Sequence, residues 1–176
     1  MTRRICITGP EATGKSSLAE TLAGRFRCEW VEEYARTYLR GLGRAYRESD
    51  LEAILRGQLE AEDASPGLGR DPFLFCDTGP EVIWVWSFFK YGRVSPAIDD
   101  ATRRRGYFGT ILLDIDLPWK SDPLRENPSE KDRRELLGIY RRLLQEIGRE
   151  YVLVGGRDGI RVENALKGLR RLQGES

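Results

Sequence analysis

Short apolar runs alternate along the chain with longer segments in which apolar residues recur every three or four positions. Short runs are typical of buried strands, and the longer spacing is typical of amphipathic helices. The runs predict five strands, at about residues 3–8, 28–32, 73–76, 111–115 and 151–154. The segments between them predict seven helices, at about residues 15–25, 34–42, 50–64, 81–91, 96–105, 129–149 and 159–172. Strands that alternate with helices indicate an α/β protein with a parallel sheet covered on both faces.

Turn and capping residues divide these elements. Ser65 to Gly69 reads as a break between a helix and the third strand. Ser49-Asp50 offers an N-cap for the third predicted helix, Ser95-Pro96 starts the fifth, and Ser129, with Asp132 three residues on, can cap the sixth. The chain has 176 residues and shows no repeat or linker, so a single domain spanning residues 1–176 is expected.

A glycine-rich loop joins the first strand to the first helix. Gly9, Gly14, Lys15 and Ser16 fit the pattern G-x-x-x-x-G-K-[ST] in the strand–loop–helix context that this motif needs. Backbone N–H groups in such a loop turn inward around a polyphosphate, the lysine reaches the β and γ phosphates, and the hydroxyl ligates Mg²⁺. The predicted nucleotide-binding residues are Gly9, Pro10, Glu11, Ala12, Thr13, Gly14, Lys15, Ser16 and Ser17. The fold is therefore expected to be the three-layer P-loop NTPase or kinase type, with ATP and Mg²⁺ as cofactors.

Composition narrows the classes of partner. The formal net charge is +1, so no overall field favours nucleic acid or a membrane. The chain has no histidine, which excludes histidine bases and histidine-ligated metals within it. Three widely spaced cysteines and no long apolar run favour a reducing, cytoplasmic location.

Carboxylates follow several of the predicted strands, at the sheet edge where ligands of open α/β sheets bind. Asp77 ends the third strand and is the expected Mg²⁺-side carboxylate, with Asp114 and Asp116 as competitors after the fourth. Glu33 follows the second strand and is the candidate base for an acceptor hydroxyl, and Glu32 is the alternative because strand ends are uncertain by a residue or two.

The polar, proline-broken segment 117–134 is expected to form a lid. Lid closure excludes water and brings an arginine to the transferring phosphoryl group, a role predicted for Arg125. In the aromatic helix 81–91, Trp84 or Trp86 is a candidate substrate contact.

Several of these segments carry a resemblance to a known family. GPEATGKSS, EEYAR, FLFCDT and LLDIDLPWKSDPLR, in this order, resemble the ribosylnicotinamide kinase domain of the NadR type. The resemblance implies ATP- and Mg²⁺-dependent phosphorylation of the 5′-hydroxyl of nicotinamide riboside, giving nicotinamide mononucleotide in NAD salvage. It also implies substrate-binding roles for Glu33, Tyr34, Arg36, Trp119 and Asp122.

One departure from the family pattern keeps other functions open. Gly79 stands where the family often has a second acid after the Asp-Thr pair. A kinase for another nucleoside or metabolite is therefore an alternative, and a nucleotide-dependent sensor that hydrolyses ATP slowly is a third. A small-molecule acceptor is the expected partner of the two kinase alternatives.

Overall fold

The structure, a computed structural model, describes residues 2–66 and 73–174. Its centre is a five-stranded sheet in the order β2-β3-β1-β4-β5, and every paired strand is parallel. The strands are β1 (Arg3–Thr8), β2 (Glu29–Val31), β3 (Phe73–Asp77), β4 (Gly109–Leu113) and β5 (Tyr151–Val154). This arrangement confirms the predicted α/β fold class of the P-loop kinase type.

Helices cover both faces of the sheet. They are α1 (Lys15–Phe26), α2 (Tyr34–Gly41), α3 (Asp50–Ala64), α4 (Pro80–Tyr91), α5 (Pro96–Arg104), α6 (Glu130–Glu146) and α7 (Asp158–Leu172). On one face, α1 and α7 bury Leu22 and Leu169 against Ile5 and Ile111 of the central strands. On the other face, α4 and α6 pack against Leu112, so the molecule has three layers.

The neighbouring strands β1 and β3 hold the site at a fixed place. Both are flanked by neighbours, and every residue of β3 is buried. A parallel strand that is buried on both faces has a continuous apolar sequence, and FLFC in β3 therefore predicts a strand clearly. The phosphate loop follows β1 and Asp77 ends β3, and Ile7 is in register with Asp77. Adjacent parallel strands therefore bring the loop and the carboxylate to the same sheet edge.

The predicted element boundaries needed a few corrections. Ser49 makes no capping bond through its side chain, whereas Ser129 accepts a bond from the backbone N–H of Asp132 as predicted. Ser95, where a helix start was predicted, accepts a bond from the backbone N–H of Ile98. The fourth strand begins and ends two residues earlier than predicted. α6 ends at Glu146 because Gly148 adopts a left-handed conformation with a φ of 65°.

Residues 67–69 of the predicted break at 65–69 lie outside the described residues. Across residues 2–66 and 73–174, no helix combines the length and the apolar character that a membrane crossing requires.

Candidate active site

A cavity of about 780 Å³ opens at the carboxyl ends of the central strands. It is bounded by the phosphate loop, the start of α2, one side of α4, the 117–134 segment and α6. Its lining residues are Gly9, Pro10, Glu11, Ala12, Thr13, Gly14, Lys15, Ser16, Ser17, Glu33, Ala35, Arg36, Leu39, Val82, Val85, Trp86, Phe89, Lys90, Asp122, Leu124, Arg125, Glu126, Asn127, Leu136 and Tyr140. The cavity thus joins a polar end at the loop to an apolar wall from α4 and α6, which is typical of small-molecule sites.

The phosphate loop turns tightly between β1 and α1. Gly9 has a φ of 139°, and a Cβ there would lie 2.9 Å from the carbonyl oxygen of Leu113 on the neighbouring strand. Only glycine meets both constraints, which gives the first fixed position of the motif a physical reason. Lys15 donates through Nζ to the carbonyl oxygens of Gly9 and Pro10, at 3.0 and 2.9 Å. The lysine charge therefore lies inside the concave side of the loop, where a polyphosphate would bind.

Asp77 is almost fully buried at the end of β3. Burial, together with the negative charge of Glu33, raises the pKa of Asp77 to about 6. A bond from the Ser16 hydroxyl and the positive charge of Lys15 act in the opposite direction. Its Oδ1 atom is buried and has no hydrogen-bond partner.

A carboxylate oxygen without a partner, beside a serine hydroxyl, fits a hydrated Mg²⁺, which prefers oxygen ligands and keeps several waters. Ser16 and Asp77 are therefore the residues that could hold this ion. Across the described residues, no group of three or more acidic, cysteine or histidine side chains could hold a metal by itself. A magnesium site here would thus draw on water and the nucleotide for its remaining ligands.

Glu33 and Arg36 lie one turn apart at the start of α2. Arg36 Nε donates to Glu33 Oε2 at 3.1 Å, and Arg36 Nη1 donates to Asp122 Oδ2 at 2.9 Å. Asp122 also accepts the backbone N–H of Leu124 at 2.9 Å, and this bond, together with Arg36, holds the pKa of Asp122 below its usual range. The EEYAR and WKSDPLR segments, which are 86 residues apart, therefore meet at the cavity through charged contacts.

The 117–134 segment contacts the phosphate loop through Glu11. The Glu11 carboxylate accepts the backbone N–H of Glu126 at 3.1 Å and that of Asn127 at 2.9 Å. Arg125 lines the cavity beside these residues, and its guanidinium donates to the carbonyl oxygen of Lys120 at 2.6 Å. The segment thus contacts the phosphate loop and contributes Arg125 to the cavity lining.

Some predicted ligands lie outside the cavity. The ring of Tyr34 packs on Gly57 of α3, where an added Cβ would lie 2.1 Å from the ring. Trp119 is outside the lining and lies under the Arg125 guanidinium, 5.9 Å from the ring centroid. Glu32 is exposed and is also outside the lining, whereas Glu33 is part of it.

The aromatic helix divides its rings between the cavity and the core. Trp86 lines the cavity, whereas Trp84 stacks on Phe88 at 5.2 Å and donates through Nε1 to Asp99. Of the two candidate tryptophans, the structure therefore brings only Trp86 to the site.

The competing carboxylates after β4 have other partners. Asp116 pairs with Arg161 of α7 and accepts the backbone N–H of Gly156 in the turn after β5. Asp114 accepts the backbone N–H of Ile115 at 2.7 Å. These contacts favour Asp77 over both as the Mg²⁺-side carboxylate.

A polar cluster beside the cavity was not anticipated from the sequence. Tyr46 Oη accepts a bond from Trp86 Nε1 at 2.9 Å and donates to Glu126 at 2.7 Å, and Lys90 contacts both Tyr46 and Glu126. These residues come from a loop, α4 and the 117–134 segment, so no local pattern links them. In the sequence alone, Lys90 and Glu126 look like ordinary surface residues.

The glycine in the position of the family's second acid has a steric cause. A Cβ on Gly79 would lie 2.8 Å from both Cys6 Sγ and Glu81 Oε2. Glu81 is fully buried, accepts a bond from Cys6 and pairs with Arg149 at 3.0 Å. The backbone at residue 79 therefore has no room for an acid, and the nearby carboxylate points into the core.

The sheet order, the loop after β1 and the carboxylate after β3 define a P-loop protein with the fold of small-molecule kinases. The chain belongs to the AAA domain family AAA_28, whose model matches residues 4–159. It is 30% identical over 162 residues to the trifunctional NAD biosynthesis/regulator protein NadR of Escherichia coli strain K12, covering 89% of this chain and 39% of that protein. The NadR of Salmonella typhimurium strain LT2 is 30% identical over 158 residues, covering 86% of this chain and 38% of that protein. These relatives confirm the predicted resemblance, and the chain spans less than two fifths of their length.

Solved structures show the same fold. A NadR structure in complex with NR superposes with a TM-score of 0.84 at 20% identity, covering 99% of this chain and 52% of that chain. A NadR structure with NAD and AMP-PNP gives 0.76 at 19% identity, covering 99% and 50%. Thymidylate kinase from Ehrlichia chaffeensis gives 0.70 at 13% identity, covering 98% and 99%. The likeness in fold therefore extends over nearly the whole chain, both to NadR and to a thymidylate kinase.

Proposed function

We propose that the protein is an ATP-dependent kinase that transfers the γ-phosphoryl group to the 5′-hydroxyl of nicotinamide riboside, giving nicotinamide mononucleotide. One observation carries the proposal: Lys15 of the phosphate loop and the Glu33 carboxylate line the same cavity, so a phosphoryl donor and a hydroxyl acceptor can meet there. The NadR relatives and the NadR structure with NR support the choice of acceptor. The proposal includes one kinase domain over residues 1–176, a lid at about 117–134 and a cytoplasmic location.

The reaction is a direct displacement at phosphorus. Glu33 takes the proton of the acceptor hydroxyl while the acceptor oxygen forms a bond to the γ-phosphorus. The bond between that phosphorus and the bridging oxygen of the β-phosphate breaks, and ADP leaves. Lys15 and Arg125 compensate the negative charge of the phosphoryl oxygens, and the lid that carries Arg125 excludes water.

Ser16 and Asp77 would hold Mg²⁺ on the donor side of this reaction. A bound Mg²⁺ would supply positive charge that compensates the phosphate oxygens of the nucleotide. Asp77 must be ionised for this role, and its raised pKa places that ionisation at about pH 6. In the metal-free site, Asp77 therefore becomes increasingly protonated as the pH falls below about 6.

The apolar wall of the cavity is suited to the base of the acceptor. Trp86 and Phe89 of α4 and Tyr140 of α6 line this wall. Aromatic side chains bind flat rings with a large contact area at a small entropic cost. The base would lie against this wall, with the ribose directed towards Glu33.

A second acceptor class has a specific observation in its favour. Lys90 lines the cavity, and Gly79 offers no carboxylate for a cationic ring. An acceptor with an anionic group would pair with the Lys90 ammonium once Glu126 moves aside. A kinase for such a nucleoside or metabolite is therefore the alternative function.

The test is ADP release with ATP and Mg²⁺ against a panel of nucleosides. Release that depends on nicotinamide riboside, and is absent with its 5′-deoxy analogue, is the expected result. Release only with another acceptor would keep the kinase and overturn the choice of substrate. ATP binding without acceptor-dependent release from any panel member would overturn the kinase proposal in favour of a sensor that hydrolyses ATP slowly.

A further inference from the structure

Arg133 is a buried arginine that the proposed reaction does not use. It lies in the first turn of α6, and only 4% of its surface is exposed. Its guanidinium donates one bond through Nη2, to the carbonyl oxygen of Leu117 at 3.2 Å. Its Nε is buried without a hydrogen-bond partner, and among residues 2–66 and 73–174 no carboxylate lies within ion-pairing distance of its guanidinium.

The surroundings of Arg133 leave its charge incompletely balanced. Burial lowers the pKa of Arg133, and the positive charge of Arg125 lowers it further. The negative charges of Glu130, Glu11 and Asp116 oppose this shift but do not cancel it. A buried cation without a paired carboxylate destabilises the folded state. Groups that are kept at such a cost are concentrated at functional sites.

Arg133 is connected to the phosphate loop through Leu117. Leu117, whose carbonyl it binds, packs on the loop: a Cβ on Gly14 would lie 3.2 Å from Leu117 Cδ1. Glu11 and Arg125, which are close enough to affect its pKa, both line the cavity. The unbalanced positive charge is therefore next to the place where a polyphosphate would add several negative charges.

We propose that Arg133 is a second arginine of the nucleotide site, and that its charge compensates the bound polyphosphate. The inference rests on the proposed binding of ATP. Because water is excluded around a buried side chain, its charge acts on a nearby anion more strongly than an exposed charge does. Arg133 then stabilises the bound triphosphate, and the nucleotide supplies the negative charge that the protein lacks at this point.

Arg134 offers a matched control on the same helix turn. Its side chain is 71% exposed and already pairs with Glu130 at 2.5 Å. An exposed and paired arginine adds little to a field inside the cavity, since solvent screens it. Arg133→Met and Arg134→Met thus remove the same charge from adjacent positions that differ in burial and pairing.

The experiment measures the dissociation constants of ATP, ADP and AMP by calorimetry, with Mg²⁺ and without acceptor. Arg133→Met is expected to weaken ATP by about tenfold or more, ADP by less and AMP least, because the effect grows with phosphate charge. Arg133→Lys, which keeps the charge, should restore most of the ATP affinity, and Arg134→Met should match the wild type. Unchanged ATP affinity in Arg133→Met would overturn the inference, and so would an equal loss for all three nucleotides, which a structural role produces.

Thermal unfolding of the same variants separates folding from binding. Without nucleotide, Arg133→Met is expected to unfold at or above the wild-type temperature, since it lacks the unpaired charge. A markedly lower unfolding temperature for both Arg133→Met and Arg133→Lys would overturn the inference by showing that the guanidinium holds the fold. A wild-type protein that binds no ATP would contradict the proposed function itself. A wild-type protein that binds ATP, but no more tightly than Arg133→Met does, would contradict only the role of Arg133.

Discussion

Arg36 and Asp122 form an ion pair of 2.9 Å between α2 and the proposed lid. The same guanidinium holds Glu33 at 3.1 Å. The candidate base and the lid are therefore connected through one side chain, and a lid that is displaced releases one of the two carboxylates that fix Arg36. We interpret this arrangement as a link between lid position and the orientation of Glu33.

Breaking the ion pair should slow transfer more than it weakens ATP binding. Arg36→Met is expected to lower kcat/KM for the acceptor by about 10²-fold, since small misplacements of a reacting group have effects of that size. Asp122→Asn should act through the same contact, so the double variant should be little worse than Arg36→Met alone. Fully additive losses in the steady-state kinetics would show that the two residues act independently.

Glu33→Gln is expected to reduce kcat by about 10²- to 10⁴-fold with little change in ATP affinity, because glutamine can still accept the bond from Arg36 but cannot take the acceptor's proton. Glu32→Gln is the control, since Glu32 is exposed and outside the cavity lining. Turnover and ATP binding should be measured on both. Wild-type transfer rates in Glu33→Gln would remove Glu33 from the proposed mechanism.

Asp77 should make both activity and stability depend on pH. Its pKa is raised from 3.8 to about 6, so kcat/KM for ATP should fall as the pH falls through 6. The effect of pH on stability is the opposite. Because the folded state favours the protonated form of Asp77, this residue stabilises the fold below pH 3.8, and that stabilisation is lost as the pH rises through 6.

Asp77→Asn is the variant that tests this ionisation. Without Mg²⁺, it should unfold at a higher temperature than the wild type at pH 7.5, and the difference should shrink towards pH 4. Melting curves over this range measure the effect. A constant difference at every pH would show that ionisation of Asp77 does not control it.

Much of the fold could be predicted because its signals are local. Buried parallel strands such as FLFC are continuous apolar runs, and the loop from Gly9 to Ser16 has fixed glycines for steric reasons. The capping error at Ser49 arose because Asp50, which accepts bonds from Tyr38 and Arg44, organises that turn instead. Contacts of this kind depend on side chains from other segments.

The sequence predicts a site residue only where the position of that residue follows from its own strand or loop. Glu33 and Asp77 follow strands, so the sheet itself implies their position. Lys90 and Glu126 meet only after α4 and the lid segment pack together, and the burial of Arg133 depends on the same packing. In a linear reading these three charges look like solvent-exposed positions.

Glu11 should hold the proposed lid against the phosphate loop. Glu11→Ala removes the acceptor of the backbone N–H groups of Glu126 and Asn127, so the lid should open more often. Trypsin cleavage after Lys120 or Arg125 is expected to become at least about tenfold faster, because hydrogen bonds to a charged carboxylate contribute about 1.5–3 kcal/mol and two backbone donors lose theirs. Glu20→Ala, on the exposed side of α1, is the control. Equal cleavage rates in the two variants would mean that Glu11 does not restrain the segment.

The backbone at Gly79 should tolerate no side chain. Gly79→Ala places a Cβ 2.8 Å from Cys6 Sγ and from Glu81 Oε2, so it is expected to lower the free energy of unfolding by about 1–3 kcal/mol. Gly24→Ala is the control, because a Cβ at this exposed helical position meets nothing within 4 Å and should stabilise by up to about 1 kcal/mol. Urea denaturation measures both changes. The double variant Gly79→Ala/Cys6→Ala should lose less stability than the sum of the two single variants, because Cys6 Sγ is one of the three atoms within 3.0 Å of the added Cβ, and fully additive losses would place the strain at the Glu81 carboxylate alone.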